Sequence, residues 1–475
     1  MANFLFIRGN RNKKLFHDIG AQLEKRGHRS YLIKLELGEL FMKSSITSIF
    51  APFKITKEEY PITDEELMSL PIYNVTFTKN VLNKNVNKSE LRTYKRYMSA
   101  IDKLIDAYKI DTICLFNGYH WIDQISKRLA EEKGLKVFYF EDGLFRPYTI
   151  TCDPKGINAR SSVSTDSRFY DQVSVNKKRL RKYLFKPEEK ALLQAKRESL
   201  VKVALMKLAL FIGALLHIHP KYYAHITFWQ AVKYFIFKKL YRYKKEDEIN
   251  INEEYIFVPF QVSRDTQIFY HSPRIKTMEE LLDKVVAAVK RYNEENKRNI
   301  KIIVKEHPED MSRNSYKQLK QKYKDEVTFI KKYRMDKLLK HCLAVITINS
   351  TVGLEALAHH KKVITLGDAL YNIDGIVERC HDPNRLFNSL QKVLASPLLT
   401  DKVARFLYYL RFEYQIEGIL NSPNEHTARN IADRLSQYIE LRGDLGESDW
   451  RDTSSIRFNP VSRKAAGFDK WKADD

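Results

Sequence analysis

Short apolar runs, each closed by glycine or polar residues and followed by sequence of helical composition, recur in two sets of four, and this alternation constrains the fold most. The first set is FLFIRG, GHRSYLIKL, DTICLFNGYH and KVFYFEDG; the second is EYIFVPFQV, NIKIIVKEHP, CLAVITINST and KKVITLGD. Brief runs of Val, Ile, Phe and Tyr bounded by turn residues read as strands, and strands that alternate with helices form parallel sheets. SKRLAEEKGL supplies the helix between the third and fourth runs.

At 475 residues the chain is too long for one ordinary core. The expected division is an N-terminal Rossmann-like domain over 1–170 and an insert over 171–250. A second Rossmann-like domain over 251–398, helices crossing back over 399–441 and a polar tail over 442–475 complete it. Two α/β domains facing across a cleft give the GT-B architecture of many glycosyltransferases. A hydrophobic content of 44% with 27 tyrosines marks a folded protein and excludes the disordered and collagen-like classes. The four cysteines are widely spaced and form no CxxC pair, which fits a reducing compartment. The apolar run at the start has its charge after it, the reverse of a signal peptide, so a cytoplasmic chain is expected.

The insert holds most of the basic excess. Between Lys177 and Lys245 stand 18 Lys or Arg against three Glu, in a chain whose formal charge is +23. Val203 to Leu216 is an apolar run of 14 residues interrupted by Lys207, short of the roughly 20 that span a bilayer. Farther on, Phe228, Val232, Phe235, Ile236 and Leu240 share a helical stripe flanked by Trp229, Lys233, Lys238, Arg242 and Lys244, with Lys239 interrupting it. Two readings follow. Lys233, Lys238, Lys239 and Arg242 sit on an anionic leaflet, which makes the protein peripheral on an inner membrane surface; or the insert is a helical hairpin packed on the protein with a solvated basic face. No nucleic-acid motif occurs, so no nucleic-acid partner is expected.

Open α/β sheets bind ligands at the carboxyl ends of their strands. In the second set those ends carry Gln261 with Ser263 and Asp265, Lys305 with Glu306 and His307, and Asn349, Ser350 and Thr351 before a helix containing Gly353. A helix N-terminus, two hydroxyls, a lysine and an imidazole suit an anion, whereas the hydroxyls alone suit an ordinary helix cap. Glu355 either accepts hydrogen bonds from a ribose or is a solvated helix residue. No Asp-x-Asp triplet occurs, so no metal clamp is expected, and a nucleoside monophosphate leaving group fits protein donors alone. In the first set KVFYFEDG ends in Glu141 and Asp142, a base or nucleophile for glycosyl transfer, with Arg146 placed for a sugar carboxylate. Residues from Tyr148 read as a polar loop.

These blocks resemble a family. FEDGLFRPYTIT with GINARSS, then FVPFQVSRDTQIFYHSP, VKEHPED and INSTVGLEALAHHKKVITLGDALYNIDG, are similar in kind and order to those of the capsule polysaccharide biosynthesis proteins that act as bacterial β-Kdo transferases, especially the type that starts the lipid-linked linker. The resemblance implies a retaining transferase that takes Kdo from CMP-Kdo and places it on a phosphatidylglycerol-type lipid at the inner membrane face, alongside other capsule assembly proteins. By position it implies Asp142 as nucleophile, His307 with Pro308 as a nucleotide motif, and Ser350 with Thr351 at the phosphate. Leu144 and Phe145 depart mildly from the family block, and NGYHW (117–121) replaces a polar block on the acceptor side, where His120 is the candidate stand-in. Two alternatives stay open: another CMP-activated acidic sugar or acceptor, and a non-catalytic membrane-bound subunit of a capsule assembly complex.

Overall fold

The computed structural model describes residues 1–7, 14–194, 199–219, 228–310, 314–420 and 424–443. The expected turn at Gly9 and the polar tail from 444 onward lie outside them. Thirteen strands occur among the described residues: β1 (Asn3–Ile7), β2 (Arg29–Lys34), β3 (Thr47–Phe50), β4 (Thr112–Phe116), β5 (Lys136–Asp142), β6 (Thr149–Asp153), β7 (Tyr255–Pro259), β8 (Lys301–Lys305), β9 (Val327–Ile330), β10 (Ala344–Thr347), β11 (Lys362–Thr365), β12 (Glu378–Arg379) and β13 (Ile416–Glu417). The chain divides into two compact units.

The N-terminal unit takes Met1–Val163, Val175–Tyr222 and the chain from Tyr408. Its sheet runs β3-β2-β1-β4-β5, all parallel, and then turns antiparallel through β6 and β13. Apolar residues on both faces bury these strands, as a sheet covered by helices requires. Phe4, Phe6, Phe16, Phe138 and Phe140 form the core with Ile431, Ala432 and Leu435 of the late helix Glu425–Gly443. An Arg26–Asp433 ion pair ties that helix to the end of Lys14–Glu24. The late segment thus returns to the N-terminal unit.

The C-terminal unit takes Ser164–Ser174 and Tyr223–Leu407. All six of its strands are parallel, in the order β9-β8-β7-β10-β11-β12. Numbered within the unit this is 3-2-1-4-5-6, the doubly wound nucleotide-binding order. Both units are therefore Rossmann-like, and each has a switch point where the strand order reverses, beside β1 and β4 in one and beside β7 and β10 in the other.

Two features differ from the sequence reading. The 171–250 stretch is shared between the units: its helix Leu200–Leu215 packs on the N-terminal unit, and its helix Phe228–Tyr243 belongs to the C-terminal one. Tyrosines explain the second attachment, since Tyr234 donates to Glu309 at 3.1 Å and Tyr241 to the Lys331 carbonyl at 2.9 Å. The region after Tyr148 is also not a loop throughout. Residues 149–153 form the fully buried strand β6, paired with β5 so that Asp142 faces Ile150 and Glu141 faces Thr151.

Candidate functional site

In the C-terminal unit the loops leaving β7, β8 and β10 are locked together by side chains. Gln261, after β7, donates from Nε2 to Asn349 Oδ1 at 2.9 Å and accepts the Asn349 amide at 3.1 Å. Asn349 donates onward to the carbonyls of Gln267 and His271, at 3.0 and 3.3 Å. Both residues are buried, so they brace the switch point. A second lock joins the β7 loop to the His307–Pro308 loop: Ser263 donates from Oγ to the buried Asp310 at 2.7 Å, and the Tyr316 hydroxyl donates to the same carboxylate.

The hydroxyl pair divides its work. Ser350 Oγ accepts the Val352 amide at 3.2 Å, so Ser350 makes the local cap, while Thr351 at the helix start makes none with its side chain. The Tyr371 hydroxyl donates to the Ser350 carbonyl, and a Cβ on Gly353 would come within 2.4 Å of that hydroxyl, so only glycine lets the helix Val352–Ala358 approach it. Lys305, half-buried at the end of β8, donates to the Tyr333 carbonyl at 2.9 Å. Burial pushes its ammonium below the usual lysine range, and the nearby Glu355 carboxylate opposes that push. The Glu355 charge is thus one that Lys305 feels. Glu306 turns into the structure and pairs with Lys320 at 2.6 Å. His307 and Pro308 are half-buried, and the imidazole accepts the Glu309 amide at Nδ1 at 3.2 Å, which puts the proton of the neutral ring on Nε2.

In the N-terminal unit Glu141 and Asp142 end β5. Asn117, in the left-handed region at φ 70° after β4, donates from its side-chain amide to Glu141 Oε2, and the Asp142 amide donates to Oε1 at 3.0 Å. Burial raises the Glu141 carboxyl, and these donors oppose the rise. Asp142 is also raised by burial, with the Arg146 guanidinium opposing from 3.0 Å. Arg146 additionally donates to the Gly143 carbonyl at 3.2 Å, so its partners in the structure lie within its own turn. His120 is buried at the start of the helix Trp121–Glu132, its amide donating to Asp123 at 3.3 Å and its ring tilted against Trp121.

Several residues that shape these sites are given no role of their own in the sequence reading. Asn117 could have been suspected from the Asn-Gly pair after a strand, a turn signal that tolerates positive φ. Asp153 and Gln415 carry no such signal. Gln415 accepts the Leu144 amide and donates to Thr151 Oγ1, each at 2.9 Å, and so clamps the hairpin that bears the carboxylates.

Lys233, Lys238, Lys239 and Arg242 are all exposed on the helix Phe228–Tyr243. Of the apolar stripe expected there, Ile236 and Leu240 are exposed too, and the side chains of Phe228, Val232 and Phe235 lie outside the described ones. No helix among the described residues is long and apolar enough to cross a membrane.

The sequence profile described as capsule polysaccharide biosynthesis protein matches residues 111–400, which spans both carboxylates and all three loops leaving β7, β8 and β10. The chain belongs to that family. Among its relatives, protein FixF of Sinorhizobium fredii (strain NBRC 101917 / NGR234) is 31% identical over 338 residues, covering 70% of this chain and 66% of FixF, just under two thirds of that protein's length. Capsule polysaccharide export protein KpsS of Escherichia coli is 26% identical, over 61% of this chain and 75% of KpsS. Among solved structures, the β-Kdo 2,7 transferase of Thermosulfurimonas dismutans KpsC matches 80% of this chain and 97% of that one, at 19% identity and a TM-score of 0.35. A score that low adds nothing to the topology above.

Proposed function

We propose that this capsule-family protein is a retaining glycosyltransferase that moves Kdo from CMP-Kdo to a phosphatidylglycerol-type lipid. The observation that carries the reading is the pair at the end of β5: an Asp142 held beside Arg146, next to a Glu141 immobilised by Asn117. In this mechanism the Asp142 carboxylate attacks the anomeric carbon, and the bond to the CMP phosphate breaks with its electron pair leaving on CMP. The acceptor hydroxyl then displaces Asp142 from the sugar ester, and its proton passes to Glu141. Two inversions give net retention. Forming the ester removes the Asp142 charge, which releases Arg146 to pair with the sugar carboxylate. On the nucleotide side, His307, Lys305 and Thr351 are the donors for the CMP phosphate. Gln261, Asn349 and Ser350 hold the loops that present them, and Glu355 sets the field around Lys305. His120 is assigned to the acceptor side.

Incubating the protein with CMP-Kdo and a short-chain phosphatidylglycerol should give a lipid one Kdo heavier by mass spectrometry. Transfer from a different CMP-sugar but not from CMP-Kdo would replace the donor in this reading.

Arg146 also makes a pH signature. Because its charge opposes the burial that raises Asp142, Arg146→Met should move the acid limb of the kcat/KM profile toward higher pH. Arg146→Lys should restore part of the displacement. An acid limb that stays in place in the Met variant would separate Arg146 from the titrating group.

A further inference from the structure

The helix Leu200–Leu215 is apolar on the side that it turns away from the protein. It is attached through Met206, Ala209 and the buried Gly213, which lie one turn apart on one stripe. This stripe packs on the 3-10 turn Leu37–Phe41 at close range: a Cβ on Gly38 would come within 2.4 Å of the Met206 carbonyl oxygen. A helix so attached to a soluble surface normally carries polar residues elsewhere. Here a second stripe, Val201, Leu205, Leu208, Ile212 and Leu215, is 39% to 69% exposed. Leu40 and Phe41, on the turn that carries the helix, are exposed as well. Large apolar patches of this kind mark a surface that something covers.

Charge selects the cover. Lys207 is exposed on the helix itself, Lys43 follows the supporting turn, and Lys54 ends the neighbouring 3-10 turn Ala51–Lys54. Along the sequence, the 177–245 stretch that contains the helix carries 18 basic against three acidic residues. A second copy of the chain would bring like charges together across the patch, whereas an anionic bilayer supplies acyl chains for the leucines and phosphates for the lysines. The helix is about 24 Å long at 1.5 Å per residue, short of a hydrocarbon core about 30 Å thick, and one of its stripes is already committed to protein. It is suited to lie in the surface.

We infer that the Val201–Leu205–Leu208–Ile212–Leu215 face is the membrane-embedding surface, set into the headgroup and acyl boundary of an anionic lipid leaflet. This deepens the lipid-acceptor reading and rests on it for the nature of the partner, but it assigns the embedding to this helix rather than to the basic helix Phe228–Tyr243. The basic helix then contributes long-range attraction, which salt screens, and the apolar face contributes anchorage, which salt leaves intact.

Flotation of the full chain with phosphatidylglycerol-containing vesicles, at low and high salt, tests the division. Wild type should stay partly bound at high salt. The triple variant Leu205→Gln, Leu208→Gln, Leu215→Gln changes exposed positions only and should lower vesicle affinity about a hundredfold at high salt. Reversing Lys233, Lys238, Lys239 and Arg242 to Glu should weaken binding at low salt and leave the high-salt fraction. A single Leu208→Trp probe should be quenched by brominated acyl chains. Absence of wild-type binding, or a triple variant that binds like wild type at high salt, overturns the inference. So does a wild-type dimer, seen by light scattering, that the triple variant turns into monomer. Transfer to the water-soluble short-chain acceptor keeps the two readings apart: the triple variant should retain it, and its failure in the wild type would remove the transferase reading while leaving the vesicle result standing.

Discussion

Asp142→Asn is expected to lower sugar transfer by on the order of 10⁴-fold or more while leaving CMP affinity within about twofold. The substitution keeps the size and shape of the side chain and removes the charge that the proposed mechanism directs at the anomeric carbon. Geometry favours Asp142 over its neighbour as that nucleophile. Both oxygens of Glu141 already accept hydrogen bonds, from Asn117 and from the Asp142 amide, whereas the Asp142 side chain is 24% exposed with one oxygen paired to Arg146. Intact-protein mass spectrometry with CMP-Kdo and no acceptor should show a one-sugar adduct on the peptide containing Asp142 in the wild type and none in the variant. His307→Ala is the mirror experiment. It should weaken CMP binding by roughly 10- to 100-fold, the value of a charge-assisted hydrogen bond, and leave the carboxylate site intact. An adduct that maps to Glu141, or an Asn variant that transfers at a comparable rate, would reverse the assignment.

How far such a site can be read from sequence depends on the span of the contacts that build it. The eight strands expected from apolar runs are all present, because a strand buried on both faces writes a continuous apolar signature. β3 and β9 escape that reading because they are edge strands, each with exposed positions, and β12 and β13 are two residues long. β6 escapes for a different reason. Its TITCD is fully buried, yet Thr149, Thr151 and Asp153 look like loop residues until their partners are known. Those partners are the Phe145 amide for Thr149, Gln415 for Thr151, and Ser162 and Tyr414 for Asp153. Two of them stand more than 260 residues away. The candidate site divides in the same way. Glu141, Asp142, Lys305 and Ser350 were legible because strand-end residues are neighbours of their strands in sequence. The Gln261–Asn349 lock joins residues 88 apart, and nothing local in either residue announces the other. Arg146 shows the limit of reasoning from residue type: an arginine near an expected sugar carboxylate is drawn first to the carboxylate in its own turn.

Asp153→Ala should destabilise the N-terminal unit severely, because it leaves five donors facing an apolar methyl group. Asp153 Oδ1 accepts the amides of Lys155 and Gly156 at 2.7 and 3.0 Å; Oδ2 accepts the Ser162 amide at 2.8 Å, the Ser162 hydroxyl at 2.7 Å and the Tyr414 hydroxyl at 2.9 Å. The carboxylate is fully buried, so water cannot replace it without opening the sheet edge. Burial raises its carboxyl, and these donors oppose the rise. Removing one partner of a buried charged network costs about 3–5 kcal/mol, which for a unit of this size is a fall of roughly 10 °C in Tm. Asp153→Asn keeps one acceptor oxygen but turns an amide donor toward existing donors, so it should recover only part of the loss. Scanning calorimetry with and without CMP checks this. CMP should raise the transition of the C-terminal unit, and the substitution should lower the other one. A midpoint within about 2 °C of wild type would mean that the donors find other acceptors. Because Asp153 lies opposite Tyr139 in the hairpin that carries Glu141 and Asp142, the Ala variant should also transfer less sugar. That loss should shrink at lower assay temperature, as it does for a site lost to unfolding, whereas the loss in Asp142→Asn should persist at every temperature at which the protein is folded.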